Sequence, residues 1–136
     1  MKSEANAIKV WVVENDLSLA DAYSYIIAQG GYSVLTFANN LEALERLSEA
    51  PAPDILLLDL YTPKLNGLQL LEQAGSKLAA ANTAVIVLSN YENHAVIDRA
   101  YDLGAMTYMI KAWVAPNDLL RTVTSAAMSL QPQRKR

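Results

Sequence analysis

Five short runs of apolar residues alternate with five segments of helical periodicity along the chain, and this alternation constrains the fold more than any other feature. In the segments between the runs, apolar residues recur every three or four positions, the spacing of an amphipathic helix. The predicted strands are Ile8–Val13, Tyr32–Phe37, Asp54–Leu60, Ala84–Leu88 and Ala105–Ile110. The predicted helices are Leu17–Gln29, a segment that Asn39 caps, Leu68–Ala80, Tyr91–Leu103 and a last helix that Pro116 opens. The predicted order of elements is βαβαβαβαβα.

The character of the strands places the chain in the α/β class. Runs such as IKVWVV (8–13) and AVIVL (84–88) are apolar at almost every position, so helices must cover both faces of the sheet. With short connections and right-handed crossovers, this pattern favours a doubly wound parallel sheet. Ligands of such sheets bind beyond the carboxyl ends of the strands, so we expect functional residues there.

Composition excludes several kinds of site. The chain has 136 residues, of which 52% are hydrophobic and 18% charged, a balance that suits one compact domain. It has no cysteine and a single histidine, His94, which excludes disulfides, thiolate zinc sites, cysteine nucleophiles and sites built from several histidines. No apolar run is long enough to span a bilayer and no secretory signal is recognisable. We therefore expect a cytoplasmic protein without membrane contact.

The distribution of charge argues against nucleic-acid binding. The formal net charge is −3, from 11 basic and 14 acidic residues. Three of the basic residues, Arg134, Lys135 and Arg136, end the chain, so the remainder is more acidic still. Nucleic-acid backbones are bound by clustered Lys and Arg side chains. We therefore expect no direct contact between this domain and nucleic acid.

Polar side chains stand at the ends of four predicted strands. Glu14 and Asn15 follow the first strand, and Asp59 lies near the end of the third. Ser89 ends the fourth strand and Lys111 the fifth. The carboxyl ends of parallel strands share one edge, so these groups are expected to meet there. Carboxylate and carbonyl oxygens suit Mg²⁺, and a carboxylate beside a divalent ion and an ammonium can attack a phosphoryl group.

Four segments in this order resemble the receiver domain of two-component response regulators. They are VVEND (12–16), LLLDLYTPKLNG (56–67), VIVLSN (85–90) and GAMTYMIK (104–111), and the resemblance extends from about Ile8 to Met128. It implies a flavodoxin-like sheet of order 2-1-3-4-5 with five helices. It also implies a phosphoacceptor signalling domain, not a conventional enzyme, whose partner is a sensor histidine kinase or a phosphotransfer protein.

The resemblance assigns a phosphoacceptor and a set of magnesium ligands. Asp59 matches the residue whose carboxylate takes the phosphoryl group. Glu14 matches an acidic position that usually reaches the metal through water, and Asn15 matches a position that is normally a direct Asp ligand. Tyr61, two residues beyond the acceptor, would supply a backbone carbonyl to the metal. The implied cofactor is Mg²⁺.

Three further positions are implied to respond to the phosphoryl group. Ser89 matches the hydroxyl residue that hydrogen-bonds it, and Lys111 matches the lysine that pairs with it. Tyr108 matches the aromatic switch position, which is expected to turn inward once the phosphoryl group draws in Ser89 and Lys111. The surface of the fourth helix, fifth strand and fifth helix would then change and be read by a downstream protein, a fused output domain or a second copy in a homodimer.

The sequence departs from the family pattern in three places, of which the first two are Asn15 and Ala112 and the third is the aromatic pair Tyr61 and Tyr91. Asn15 replaces an ionic ligand by a dipole, so we expect weaker Mg²⁺ binding and less repulsion around Asp59. Asp16 either compensates for this loss or only caps the following helix. Ala112 stands where the family usually has a cis proline after Lys111. Since a cis non-proline bond costs about 2.5–4 kcal/mol, the fold either bears that cost or has a trans bond, which would leave the direction of Lys111 open.

Three aromatic residues lie close to the site positions in the sequence. Tyr61 and Tyr91 each stand two residues beyond a site residue, so their rings are expected to shield an acyl phosphate and slow its hydrolysis. Trp113, two residues beyond Lys111, is expected to pack as a lid, with a partner contact as the alternative.

A second class of function and the domain limits stay open at this point. Asn15 and Ala112 also suit a pseudo-receiver, a protein-interaction module with the same fold that is not phosphorylated. The expected division of the chain is an N-terminal extension over 1–7, a receiver domain over 8–130 and a basic tail, or the start of a linker, over 131–136. The chain is expected to be either a stand-alone regulator or a fragment of a longer protein.

Overall fold

Five parallel strands form one sheet with helices on both faces. The computed structural model describes residues 7–134, and the side chains of residues 7–130. The strands are β1 (Lys9–Val13), β2 (Ser33–Phe37), β3 (Ile55–Asp59), β4 (Ala84–Ser89) and β5 (Ala105–Ile110). The helices are α1 (Leu17–Gln29), α2 (Asn40–Glu49), α3 (Gly67–Ala80), α4 (His94–Asp102) and α5 (Pro116–Arg134). The strand order is β2-β1-β3-β4-β5, which confirms the expected doubly wound topology.

The sheet separates two hydrophobic cores. Alternate side chains of β3 belong to different cores, with Leu56 and Leu58 on one face and Ile55 and Leu57 on the other. Helices α2, α3 and α4 cover the first face, and α1 and α5 cover the second. Every residue of β3 is buried. This two-sided burial is the physical reason why the strand is apolar at successive positions.

Side-chain caps determine where four of the helices begin. A side-chain oxygen accepts a backbone N–H of the first turn in each case, which satisfies a donor that has no partner within the helix. The caps of α1 to α4 are Asp16, Asn39, Asn66 and Asn93. Asn39 with Glu42 three residues later is the sequence pattern of a capping box. In the structure, however, Glu42 accepts from the side-chain amide of Asn39 and not from its backbone.

Helix α4 is shorter than predicted, by one residue at its end and by three at its start. The sequence predicts a start at Tyr91, whereas the helix begins at His94 because Asn93 accepts from the amides of Ala95 and Val96. The three residues before His94 consequently form a loop. This places Tyr91 among the residues that follow β4, close to the carboxyl edge of the sheet.

The connection from β5 to α5 has a trans Lys111–Ala112 bond, since the described residues contain no cis peptide bond. Residues Lys111–Trp113 form a single 3-10 turn, and α5 begins at Pro116 as predicted. Helix α5 extends to Arg134, while residues 1–6 and 135–136 of the predicted terminal segments lie outside the described residues. Within the described part of the chain, no helix is both long and apolar enough to cross a bilayer.

Candidate functional site

Three charged side chains from three strands meet at the carboxyl edge of the sheet. Glu14 follows β1, Asp59 ends β3 and Lys111 follows β5. The Lys111 Nζ atom lies 2.8 Å from Asp59 Oδ2 and 2.8 Å from Glu14 Oε1. Both acids are almost completely buried, with exposures of 2% for Glu14 and 6% for Asp59. Because an unpaired buried carboxylate is strongly destabilising, the lysine allows the two acids to be buried side by side.

The lysine of this charged triad (Glu14, Asp59 and Lys111) remains protonated. Burial lowers the pKa of Lys111, but hydrogen bonds and charge attraction from Asp59 and Glu14 outweigh that effect. The net result is a pKa above the ordinary value of 10.5. The site therefore contains its own cation at neutral pH.

Backbone amides hold the second oxygen of each acid. The amide of Tyr61 donates to Asp59 Oδ1 at 3.1 Å, and the amide of Asp16 donates to Glu14 Oε2 at 3.0 Å. Each carboxylate thus contacts the lysine through one oxygen and its own strand-end turn through the other. Asp16 itself caps α1 by accepting from the amide of Leu19 at 3.1 Å, which is the second of its two expected roles.

Ser89 and Tyr108 lie beside this triad at the ends of β4 and β5. Ser89 is fully buried, and its Oγ accepts from the amide of Tyr91 at 3.1 Å. The Tyr108 hydroxyl donates to the backbone oxygen of Tyr91 at 2.9 Å. Burial raises the pKa of Tyr108, and a hydrogen bond with Ser89 opposes that rise. Tyr108 is half-buried and packs against the core under α2, α3 and α4.

Two tyrosine rings connect the loops that follow β3 and β4. The ring centroids of Tyr61 and Tyr91 are 4.4 Å apart, and the ring planes are inclined by 47°. Both side chains are partly exposed, at 42% and 54%. The aromatic contact therefore lies at the solvent side of the two loops that begin at Asp59 and Ser89.

The oxygen atoms of the site suit a hard cation, although only two of the groups that carry them are negatively charged. The oxygens available are the carboxylates of Glu14 and Asp59, the side-chain amide of Asn15 and the backbone carbonyl of Tyr61, all of the kind that Mg²⁺ prefers. Asn15 is exposed next to Glu14, so it can turn toward a bound ion. No cluster of three or more His, Cys, Asp or Glu side chains suited to a metal occurs among the described residues. Both carboxylates also contact Lys111, so a metal would share them.

One residue that contacts the backbone of Asp59 was not indicated by any sequence pattern. Asn40, the first residue of α2, is completely buried, and its Nδ2 donates to the backbone oxygen of Asp59 at 3.0 Å. An asparagine after a cap residue has no distinguishing pattern, and its partners lie about 20 residues further along the chain. Only the packing of α2 against the end of β3 reveals the contact.

Two tryptophans and the histidine lie in different surroundings. Trp113 is 69% exposed, so the expectation that it forms a packed lid over Lys111 is wrong. It ends a short 3-10 turn in which no residue is buried. Trp11 is buried, as expected, with its ring centroid 4.8 Å from that of Phe37. His94 is exposed at the start of α4.

The fold and the polar edge of the sheet are those of a known class of signalling domain. A family model described as the response regulator receiver domain matches residues 10–124. The chain therefore belongs to the receiver-domain family of two-component response regulators. Receiver domains are signalling domains and not conventional enzymes.

Individual relatives agree with this family. The transcriptional regulatory protein YdfI of Bacillus subtilis is 32% identical over 105 residues, which cover 76% of this chain and 47% of the relative. The sporulation initiation phosphotransferase F of Bacillus subtilis is 27% identical over 103 residues, which cover 76% of this chain and 81% of the relative. The chain spans less than half the length of several curated relatives that it matches.

A solved structure shows the same architecture. The CheY-like response regulator receiver domain protein from Methanospirillum hungatei JF-1 superposes with a TM-score of 0.82 at 25% identity. The match covers 96% of this chain and 98% of that one. The expected flavodoxin-like sheet is therefore shared over nearly the whole chain.

Proposed function

We propose that this receiver domain accepts a phosphoryl group on Asp59. The observation that carries the proposal is the pairing of a buried strand-end carboxylate with a protonated lysine, Lys111, at 2.8 Å. An oxygen of Asp59 attacks phosphorus, and an acyl phosphate forms. The bond from phosphorus to the donor breaks, and its electron pair leaves with the donor. The donor is a phosphohistidine of a sensor kinase or phosphotransfer protein, or a small phosphodonor.

Two side chains are suited to hold the transferred group. The ammonium of Lys111 neutralises charge on its oxygens, which is the main form of catalysis in phosphoryl transfer. The Ser89 oxygen accepts from the amide of Tyr91, and a hydroxyl that accepts one hydrogen bond still has its own proton to donate. Ser89 would then donate to a phosphoryl oxygen in place of Tyr108, while its oxygen keeps the contact with the Tyr91 amide.

Mg²⁺ is the cofactor that the donor set would hold. Glu14, Asn15, Asp59 and the carbonyl of Tyr61 would hold it, with Asn15 contributing no charge. When bound, the ion would neutralise negative charge on the incoming phosphoryl group. The chain itself keeps the Asp59 carboxylate in one orientation, through hydrogen bonds from Lys111 and from the backbone amide of Tyr61.

Tyr108 is proposed to couple the site to a reading surface. Its hydroxyl binds the Tyr91 carbonyl in the loop that also carries Ser89, so a movement of that loop toward a phosphoryl group would act on the ring. The surface of α4, β5 and α5 would change with it, as a shift of population between two arrangements. A downstream protein, an output domain or a second copy of the chain would read that surface. We place this exchange in the cytoplasm.

The limits of the domain are part of the same proposal. Residues 8–130 would form the receiver, with an extension over 1–7 and a basic tail or linker over 131–136. The proposed function concerns the receiver alone and leaves the activity of any longer protein aside.

Mass spectrometry after incubation with a small acyl phosphate and Mg²⁺ tests the acceptor. We expect a mass increase of one phosphate in the unaltered protein and none in the Asp59→Asn variant, which keeps the shape of the side chain but cannot form the acyl phosphate. A Lys111→Met variant should be phosphorylated far more slowly. Equal phosphate uptake by the unaltered protein and the Asp59→Asn variant would exclude Asp59 as the acceptor.

The pseudo-receiver alternative is not favoured. Asn15 and the trans bond at Ala112 leave Lys111 within 2.8 Å of Asp59, so neither departure removes the groups that the reaction needs. A complete absence of phosphate uptake in the same experiment would restore that alternative.

A further inference from the structure

Asn40 donates to three oxygens of the turn that carries the phosphoacceptor. Its Nδ2 lies 2.9 Å from Thr62 Oγ1, 3.0 Å from the Asp59 carbonyl oxygen and 3.3 Å from the Leu65 carbonyl oxygen. These partners fix the orientation of the amide, because an oxygen turned toward them would face the two carbonyl oxygens of Asp59 and Leu65. The side chain is completely buried, so no solvent competes for these bonds.

Thr62 continues this network through the turn. Its Oγ1 also accepts from the backbone amide of Asn40 at 2.9 Å and donates to the Leu65 carbonyl oxygen at 3.0 Å. The amide of Gly67 donates to the Leu60 carbonyl oxygen at 2.7 Å and closes the turn at its end. The turn between β3 and α3 is therefore held from α2 at both its beginning and its end.

The position of this network determines what it can control. Asp59 is held at its carbonyl by Asn40 and at its carboxylate by Lys111 and the amide of Tyr61. Tyr61 lies between Asp59 and Thr62, both of which Asn40 contacts. The direction of the Asp59 carboxylate and of the Tyr61 carbonyl thus depends on a residue outside the turn.

The oxygen end of the Asn40 amide lowers what the residue contributes to stability. Its Oδ1 is buried without a hydrogen-bond partner among the described residues. A buried acceptor without a partner costs free energy that an apolar side chain would not cost. The contacts of the amide nitrogen with the phosphoacceptor turn offset this cost.

We propose that Asn40, acting through Thr62, is a positioning residue that holds Asp59 and the Tyr61 carbonyl in the geometry for phosphoryl transfer. The inference rests on the proposed function, because it concerns the rate of that transfer. Displacements of about 1 Å at a reacting group can lower a rate by up to about a hundredfold. Loss of the network should therefore slow phosphorylation without weakening the encounter with the donor.

Two pairs of variants test the network. Thr62→Val removes the hydroxyl at nearly constant volume, and Thr62→Ser keeps it. Asn40→Ala removes the amide, and Asn40→Ser keeps one donor. Phosphorylation by a small acyl phosphate is followed at fixed Mg²⁺ over a range of donor concentrations. For Thr62→Val and Asn40→Ala we expect the maximal rate to fall by about tenfold, with an unchanged half-saturating concentration. Thr62→Ser should retain the rate, and Asn40→Ser should be intermediate.

A variant destabilised elsewhere separates positioning from stability. Val123 is completely buried in the core under α1 and α5, away from the turn. Val123→Ala should lower the free energy of unfolding but leave the phosphorylation rate of the folded protein unchanged. Amide hydrogen exchange adds a readout that needs no phosphorylation. Thr62→Val should accelerate exchange at Tyr61 and Gly67 selectively, whereas Val123→Ala should not.

The outcomes distinguish this inference from the proposed function. If the unaltered protein takes up no phosphate, the proposed function falls and this inference falls with it. If the unaltered protein is phosphorylated and Thr62→Val matches its rate, only the role of Asn40 is overturned. Equal slowing by Thr62→Val and Thr62→Ser, or by Val123→Ala, would likewise overturn it.

Discussion

At the scale of single residues, the charged triad is the feature on which the site depends. Lys111 contacts both Glu14 and Asp59, which explains how two carboxylates are buried at one edge of the sheet. Asn15 stands next to Glu14 but outside the triad, exposed to solvent. The replacement of a carboxylate at this position therefore affects a metal ion more than it affects the ion pairs of the folded protein.

The Asn15→Asp variant should bind Mg²⁺ more tightly than the unaltered protein, by about tenfold or more. Two unit charges about 4 Å apart near a protein surface interact by about 4 kcal/mol, and part of this is lost in dehydrating the new carboxylate. Titration with Mg²⁺, followed by Trp and Tyr fluorescence, measures both affinities. Asn117→Asp makes the same chemical change at an exposed position of α5 and should leave the affinity as it is. Equal affinities for Asn15→Asp and the unaltered protein would refute the electrostatic explanation.

At the scale of elements, the loops after β3 and β4 are joined by an aromatic contact. The rings of Tyr61 and Tyr91 touch across them, and the backbone amides of the same residues hold Asp59 and Ser89. One pair of residues thus holds the two site side chains through backbone amides and joins the two loops through its rings.

The Tyr91→Ala variant should lose phosphate from Asp59 several times faster than the unaltered protein. Removing the ring opens the solvent side of the site, and water that reaches the acyl phosphate hydrolyses it. The loss is measured after rapid removal of the phosphodonor, by mass spectrometry over time. Tyr91→Phe keeps the ring and should retain the slow rate, and Tyr25→Ala removes an exposed tyrosine of α1. If Tyr91→Ala loses phosphate no faster than Tyr25→Ala, the rings do not shield the group.

The elements were largely predictable from sequence because most of them follow local rules. Helix α1 and strand β5 have the predicted bounds, since hydrophobic periodicity and clear end signals coincide there. The start of α4 was predicted three residues early, because apolar spacing does not reveal that Asn93 caps the helix. The meeting of Glu14, Asp59 and Lys111 followed from the parallel sheet, where strand ends share an edge. The roles of these residues remain proposals.

What could not be predicted depends on contacts distant in the sequence. The buried amide of Asn40 becomes meaningful only when α2 packs against the turn after β3. Trp113 is exposed at the end of a 3-10 turn, and no residue pattern predicts that turn. Large aromatic side chains are usually buried, so the general rule gave the wrong expectation in this case.

At the scale of the whole molecule, stability should fall at alkaline pH. Burial raises the pKa of Tyr23 and Tyr108 above 10.0, and the pKa of Lys111 also lies above its ordinary value. The folded protein thus keeps these protons to higher pH than the unfolded chain does. As the pH rises above about 10, the unfolded chain releases them first, so the free energy of unfolding decreases.

Urea denaturation followed by Trp fluorescence measures this dependence. We expect these groups to leave stability unchanged between about pH 8 and 9 and to lower it clearly by about pH 11. In the Tyr23→Phe variant one titrating group is absent, so the decrease should be smaller. A free energy of unfolding that stays constant up to pH 11 in the unaltered protein would contradict the expectation.

The burial of β3 on both faces has a consequence for how distant events reach Asp59. Its odd-numbered and even-numbered side chains pack in the two hydrophobic cores on opposite faces of the sheet. Both sets of side chains belong to one strand, so a displacement of either core also moves the Asp59 carboxylate at its end. Asp59, the proposed phosphoacceptor, ends the strand that both cores share, so partners that bind to opposite faces of the protein can affect each other through this strand.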